Sequence, residues 1–143
     1  DAPEKRIKFV ERSVFTDKIC FAKNCFENGK MSKIEYDIYC NWHTWLCKKF
    51  DITPKYFIYL KTNPEISEQR IKKRSRTEES GIPLEYLNQL HNNHEEWMKD
   101  NVSKGIKVLY LDVSTNFYEN EEEKAKIIEL LETFINRDVI TAN

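Results

Sequence analysis

Three charged residues, Glu11, Arg12 and Asp17, stand in a stretch that is otherwise apolar. Glu11 and Arg12 directly follow "IKFV", and Asp17 comes five positions after Arg12. The run "RIKFVERS" (6–13) predicts a strand followed by a turn. Because ligands of open parallel sheets bind outside the carboxyl ends of strands, Glu11 and Arg12 are predicted to line a cleft. The alternative is a salt bridge at a strand end, which would stabilise the fold little.

A second charged cluster is the basic run "RIKKRSR", residues 70–76. Arg70 and Arg74 are four residues apart and therefore share a helix face, and Arg76 follows them. The planar guanidinium binds phosphate through two hydrogen bonds, so arginines on a mobile segment could neutralise charge that develops in phosphoryl transfer. The alternative is a solvated helix end whose cations complement the helix dipole. The preceding "TNPE", after a strand, favours the phosphate interpretation.

Apolar strands that alternate with helices are predicted to position these groups. Ser32 and Glu35 form a capping-box pattern, and Pro64 is suited to the first turn of a helix. The predicted strands are 6–13, 56–62 and 106–113, and the predicted helices are 14–28, 33–50, 63 to the basic run, 82–100 and 120–137. This order predicts an α/β fold with a parallel sheet, in a single domain covering residues 1–143.

The bulk composition fits a globular domain. Of the 143 residues, 40% are hydrophobic and 33% are charged, and the net charge is -1. This balance gives no overall field toward nucleic acid or a membrane surface, so neither partner is expected. No apolar run approaches the length of a membrane span. The chain begins with Asp rather than Met, which suggests a processed chain or a piece of a longer one.

The cysteines are predicted to be small buried thiols of a reducing compartment, because none forms a C-x-x-C pair. They are Cys20, Cys25, Cys40 and Cys47. A disulfide or a metal role is the alternative.

The histidines give no strong prediction of a metal site. His91 and His94, with Glu95 adjacent, resemble a zinc site only weakly, because no third ligand is evident. His43 lies between Trp42 and Trp45, and all three are interpreted as packing or interface residues.

Four segments, taken in order, resemble the deoxynucleoside kinase family, in particular its deoxycytidine and deoxyguanosine kinase branch. They are "ERSVFTDKICFAKNCFENG", "YLKTNPE", "RIKKRSRTEESGIPLEYLNQLHNNHEEW" and "VLYLDV". The resemblance covers roughly residues 6–135. It implies a P-loop-kinase-like α/β fold, a parallel sheet with helices on both faces. It also implies transfer of the γ-phosphate of ATP, with Mg²⁺, to the 5′-hydroxyl of a deoxyribonucleoside.

The resemblance also implies roles for individual residues. Glu11 would hold the magnesium shell through water, and Arg12 would lie beside the 5′-hydroxyl and the transferred phosphate. Asp17 would read the edge of the base, and Phe21 would stack on it. Glu79 would accept from the 3′-hydroxyl of the sugar, near Tyr86. ATP and its lid would involve Arg70, Arg74, Arg76, Asn116 and Phe117, with Arg76, Glu11 and Arg12 as the catalytic group.

One departure from the family pattern is large. The family carries G-x-x-x-x-G-K-[ST] after its first strand, whereas Gly29, Gly81 and Gly105 are scattered singly. We therefore expect the C-terminal two thirds of such a kinase, without the N-terminal strand and P-loop, and inactive as an isolated piece. The alternatives are a nucleoside monophosphate kinase such as thymidylate kinase and a non-catalytic binding or dimerising remnant.

Asp17 carries the prediction of substrate preference. A carboxylate is costly to bury unpaired in an apolar helix, so Asp17 is predicted to face the nucleoside pocket, one turn before Phe21. It would accept from an exocyclic amino group, whereas O4 of thymine is itself an acceptor. Deoxycytidine or a purine deoxynucleoside is therefore predicted over thymidine. The resemblance further suggests a homodimer, intracellular, with the cytoplasm favoured and the mitochondrion as the alternative.

Overall fold

The computed structural model describes residues 7–79 and 81–140. The chain divides into two compact units, with the boundary between Ile52 and Thr53. The single domain predicted for residues 1–143 stays a prediction.

The first unit is helical. Helix α1 (Val14–Thr16), a π-helical turn (Asp17–Ala22) and helix α2 (Lys23–Glu27) follow one another without a break. Ser13 caps the start, since its hydroxyl accepts from the Phe15 amide at 3.3 Å. The segment confirms the helix predicted over 14–28.

Helix α3 (Lys33–Lys49) begins at the predicted capping box. The Ser32 amide donates to Glu35 Oε2 at 2.8 Å, and the Glu35 amide donates to Ser32 Oγ at 3.3 Å. His43 is buried in this unit and meets the Phe15 ring edge-on at 5.2 Å, which confirms its predicted packing role.

The strand predicted over residues 6–13 is wrong for its described part. Residues 7–10 have no regular structure, Glu11 and Arg12 form a bend, and residue 6 lies outside the described residues. Within residues 7–52 the structure forms no strand. A strand at 6–13 would therefore have no neighbour in this unit to satisfy its backbone hydrogen bonds. Phe9 and Val10 consequently stand exposed. Glu11 and Arg12 therefore precede a helix rather than end a strand.

The second unit is an α/β arrangement. Strands β1 (Tyr56–Lys61) and β2 (Lys107–Asp112) pair in parallel, from Tyr56 opposite Lys107 to Lys61 opposite Asp112. Both confirm predicted strands. The helices of this unit are α4 (Pro64–Arg74), a 3₁₀ turn (Thr77–Glu79), α5 (Leu84–Ser103), α6 (Glu121–Phe134) and a second π-helical turn (Ile135–Ile140).

Helices α5 and α6 cover opposite faces of this sheet. Tyr56 meets Phe134 of α6 edge-on at 6.3 Å, and Phe57 meets Trp97 of α5 at 5.1 Å. Successive residues of a strand point to opposite faces, so the two helices lie on either side. The core of the unit consists of Trp97, Met98, Leu111, Val113 and Phe134. The parallel α/β fold with helices on both faces is thus confirmed for the described residues.

The four cysteines are free thiols, of which Cys20 is fully buried and the other three are half-buried. Along the described residues, no helix combines the length and the apolar character that crossing a membrane requires.

Candidate active site

The first group of predicted site residues lies on the π-helical turn Asp17–Ala22. Such turns are rare, because they break the regular hydrogen-bond ladder, and they occur frequently at functional sites. Asp17 and Phe21 both belong to this turn. Asp17 was treated as a buried carboxylate in predicting its role, and this is wrong, since the residue is exposed. The pKa of Tyr39 is raised by burial and by the charge of Asp17, which places that carboxylate near Tyr39 of α3.

Arg12 and Phe21 lie together. The guanidinium carbon of Arg12 is 5.1 Å from the centre of the Phe21 ring, within the range of a cation–π interaction. The backbone of Arg12 has φ of 57°, a left-handed conformation that costs a non-glycine residue about 1–2 kcal/mol. The guanidinium occupies one face of the Phe21 ring, so a planar ligand would stack on the opposite face.

Cys20, next to Phe21 in sequence, is not a nucleophile. Burial raises the pKa of its thiol to about 12, and the nearby charges of Lys23 and Arg12 only oppose this shift. A thiol attacks as thiolate, so this group is inert near neutral pH. Glu11 is exposed at the bend before the helix and is the carboxylate nearest to Arg12 in sequence.

The second group surrounds Glu79, which ends the 3₁₀ turn after α4. Glu79 Oε2 accepts from Arg74 Nε at 3.0 Å, and Glu79 Oε1 lies 3.8 Å from Arg76 Nη1. The carboxylate is 22% exposed, against 48% for Arg74 and 61% for Arg76. Pairs as exposed as these are worth about 0.2–1 kcal/mol each, so a stronger anion can replace the carboxylate.

A cavity of about 550 Å³, which is wide open to solvent, lies between the C-terminal half of α4 and the segment after β2. It brings together four residues predicted for one site, Arg70, Arg74, Asn116 and Phe117. The complete lining is Ile66, Gln69, Arg70, Lys73, Arg74, Ser114, Thr115, Asn116, Phe117 and Tyr118. Among the described residues, neither Arg76 nor Tyr86 belongs to this lining.

Two residues of this lining were missed by the sequence reasoning. Lys73 adds a third cation to the wall formed by α4. Tyr118 is stacked on Phe117, with ring centres 4.5 Å apart and planes at 28°, and it is 78% exposed. The signals available were the adjacent aromatic pair and the three consecutive basic residues Lys72, Lys73 and Arg74. Cations on one wall and aromatic rings on the other suit a ligand that joins a planar base to phosphates.

Arg70 fixes the segment that carries these rings. Its Nη2 donates to the carbonyls of Val113 at 2.6 Å, Ser114 at 3.1 Å and Thr115 at 3.2 Å. The Ser114 amide donates to Asp112 Oδ1 at 2.9 Å, and hydrogen bonds from Ser114 hold the pKa of Asp112 below its ordinary value.

Two residues of the weak zinc pattern on α5, His94 and Glu95, make hydrogen bonds to other groups. Glu95 Oε2 accepts from Lys61 Nζ at 2.9 Å, and His94 Nδ1 donates to the Leu90 carbonyl at 2.7 Å. Burial would raise the pKa of Glu95, but hydrogen bonds from Lys61 and Tyr59 outweigh it and hold that pKa below its ordinary value. In the described part of the chain, no group of three or more His, Cys, Asp or Glu side chains is arranged to hold a metal ion.

Comparison with known proteins identifies a family for this chain. The family model for deoxynucleoside kinase matches residues 2–136. Deoxycytidine kinase 2 of Gallus gallus is 38% identical over 141 residues, which cover 92% of this chain and 53% of the relative. Human deoxycytidine kinase is 40% identical over 135 residues, covering 86% and 52%. Human mitochondrial thymidine kinase 2 is 40% identical over 92 residues, covering 64% and 35%.

This chain spans about half the length of the deoxycytidine kinases that it matches. The match nevertheless runs through both groups of predicted site residues, from Glu11 to Phe117. The chain therefore belongs to the deoxynucleoside kinase family.

Proposed function

We propose that these residues form part of an ATP-dependent deoxynucleoside kinase, which transfers the γ-phosphate of ATP to the 5′-hydroxyl of a deoxyribonucleoside. The observation that carries the proposal is the cavity in which α4 supplies cations and the segment after β2 supplies aromatic rings. Its volume of about 550 Å³ lies in the range of small-molecule sites. Family membership gives the reaction class.

On the ATP side, Asn116 and Phe117 contact the adenine, and the arginines of the lid meet the phosphates. Arg74 lines the cavity, and both Arg74 and Arg76 are paired with Glu79 in the structure. When phosphates replace that carboxylate, the two guanidinium groups neutralise the charge that spreads over the transferred phosphoryl group. Arg76 and Arg12 act in catalysis, with Arg12 beside the 5′-hydroxyl.

Magnesium fits the donors that are present, within limits. Glu11 is an exposed carboxylate, and Mg²⁺ keeps several waters and needs only one or two carboxylates beside the phosphates of the substrate. Glu11 would hold the ion through water. When bound, the ion would supply positive charge beside the phosphates.

On the nucleoside side, Phe21 covers the plane of the base and Asp17 accepts from its edge. Exposure of Asp17 leaves its oxygens open to a ligand. Glu79 would accept from the 3′-hydroxyl of the sugar. Tyr86, which is half-buried in the first turn of α5, would lie near that hydroxyl.

The substrate is deoxycytidine or a purine deoxynucleoside in preference to thymidine. A carboxylate that faces thymine O4 sets two acceptors against each other, and this costs about 1–3 kcal/mol. The relatives are named for deoxycytidine and for thymidine, so their names leave the preference open.

The experiment uses a chimaera, in which this chain is fused behind the N-terminal half of the Gallus gallus deoxycytidine kinase 2. We expect ATP-dependent phosphorylation of a deoxynucleoside, with kcat/KM lowest for thymidine, and we expect Asp17→Ala to narrow that gap. Glu27→Ala removes another exposed carboxylate of the same helical segment and serves as the control. Thymidine as the best substrate, or an equal effect of both variants, would remove Asp17 from the site.

Residues 1–143 alone are expected to give no turnover, because they contain no G-x-x-x-x-G-K-[ST] loop to cradle the phosphates. Incubation with labelled ATP, magnesium and the four deoxynucleosides tests this. Turnover above the blank would show that the loop is dispensable. An inactive chimaera that binds nucleosides would favour the non-catalytic binding or dimerising remnant. Phosphorylation of nucleoside monophosphates would favour a nucleoside monophosphate kinase.

The apolar face of α3 is our candidate for the homodimer contact. Ile34, Ile38, Trp42 and Trp45 follow the helical repeat along one face and are all exposed. Trp42 and Trp45 pack edge to face, with ring centres 5.5 Å apart. Sedimentation equilibrium tests the contact by measuring dimer formation in Trp42→Glu. Lys48→Glu, a charge change nearer the end of the helix, is the control. For location we favour the cytoplasm, with the mitochondrion as the alternative.

A further inference from the structure

Arg70 occupies a different place from the other arginines of the basic run. Arg74 and Arg76 are paired with a carboxylate, whereas Arg70 Nη2 lies within 2.6–3.2 Å of three successive backbone carbonyls. Those carbonyls belong to Val113, Ser114 and Thr115, just where β2 ends. Hydrogen bonds from a charged donor are worth about twice those between neutral groups.

The segment that Arg70 holds has little else to fix it on this side. The Val113 amide is bound to the Lys61 carbonyl at 2.9 Å, which ends the sheet ladder. Beyond it, the Ser114 amide is held by Asp112, and the Glu119 amide by the Asn116 carbonyl at 3.1 Å. Both of these contacts are local. Among the hydrogen bonds of the described residues, those from Arg70 are the long-range ones that tie this segment to α4.

We propose that Arg70 is a positioning residue, which sets the segment 113–118 against α4 and so shapes the cavity for the base of the nucleotide. This inference rests on the proposed function, and it deepens the account of the same site. All three carbonyls are contacted by Nη2, which carries two of the five N–H donors of the guanidinium. Because these contacts hold the guanidinium against the backbone of residues 113–115, Arg70 acts through the rings of Phe117 and Tyr118 rather than on the transferred group.

Hydrogen–deuterium exchange on the full chain is the first test. Arg70→Met is expected to speed exchange of the amides of residues 113–119 about tenfold. Lys73→Met is the matched control, because it removes a cation from the lining of the same cavity. Arg70→Lys keeps the charge but loses the planar fork, and it is expected to restore protection only in part. Unchanged exchange in Arg70→Met would overturn the proposal.

Nucleotides with different numbers of phosphates give the second test, in the chimaera. If Arg70 acts through the segment that meets the base, Arg70→Met weakens AMP and ATP by the same factor, about tenfold, with kcat nearly unchanged. A loss that grows from AMP to ADP to ATP would make Arg70 a phosphate ligand and refute the positioning role. If the wild-type chimaera binds no nucleotide, the proposed function fails, and the exchange experiment still decides the role of Arg70 in the fold.

Discussion

Replacing Glu79 by Gln separates the role that the structure shows for this carboxylate from the role that the proposed function gives it. Glu79 is the counter-ion of Arg74 and Arg76, and in the proposed function it also accepts from the 3′-hydroxyl of the sugar. Glu79→Gln keeps the shape and an acceptor oxygen but removes the charge. The variant is therefore a test of the charge alone.

The expected cost to stability is small. Two ion pairs are lost, and their arginine partners are 48% and 61% exposed, so each pair contributes about 0.2–1 kcal/mol. The expected effect on substrate recognition is larger. A hydrogen bond to a charged acceptor is worth about 1.5–3 kcal/mol, against about 0.5–1.5 kcal/mol for a neutral one. The difference of about 1.4 kcal/mol corresponds to tenfold.

The assay is kcat/KM of the chimaera for deoxycytidine and for 2′,3′-dideoxycytidine, which lacks the 3′-hydroxyl. We expect the ratio of the two values to fall about tenfold in Glu79→Gln. Glu78→Gln, at the neighbouring exposed carboxylate, is the control, and urea unfolding checks that both variants fold. A loss that is equal for the two nucleosides would show that Glu79 is only the counter-ion of the arginines.

Three further results are expected. Arg76→Ala should raise the activation free energy by about 2–4 kcal/mol and so lower kcat, with little change in the KM for the nucleoside. An intact kcat in steady-state assays would make Arg76 a solvated helix end. Cys20, with its pKa raised to about 12 by burial, should resist iodoacetamide at pH 8 while the half-buried cysteines react, and mass spectrometry of the native chain would reveal early labelling that contradicts this. The pKa of Glu95 is lowered in the fold, so its contribution to stability is present above its ordinary value of 4.5 and is lost as the pH falls through the folded value. Urea unfolding between pH 3 and pH 7 should show a flatter acid limb for Glu95→Gln than for the wild type, and an identical slope would exclude this carboxylate as the cause.

The sequence predicted the elements that depend on local signals. Ser32 and Glu35 marked the start of α3 because a capping box is closed within one turn, and Pro64 marked α4 for a similar reason. The apolar runs at β1 and β2 were long enough to read as strands covered on both faces.

The failures concern structure that depends on distant partners. The run at 6–13 has the composition of a strand, but whether a strand forms depends on a neighbour that composition does not show. The exposure of Asp17 depends on which face of the first helical segment packs against the rest of its unit. The apolar residues beside Asp17 in sequence do not determine that face. The contact of Arg70 with backbone carbonyls was not predicted either, because these partners lie more than forty positions away in the chain, while its role at the ATP site stays a prediction.

The pairing of β1 with β2 has a consequence for the order of folding. Tyr56 finds Lys107 only after the chain has travelled through α4 and α5, so the parallel ladder closes a loop that contains two helices. Loop closure costs conformational entropy before any strand contact compensates for it, whereas each helix forms from neighbouring residues. We therefore expect α4 and α5 to acquire structure early and the sheet to form late. Until then both apolar strands stay open to other chains, and refolding yield should fall as protein concentration rises.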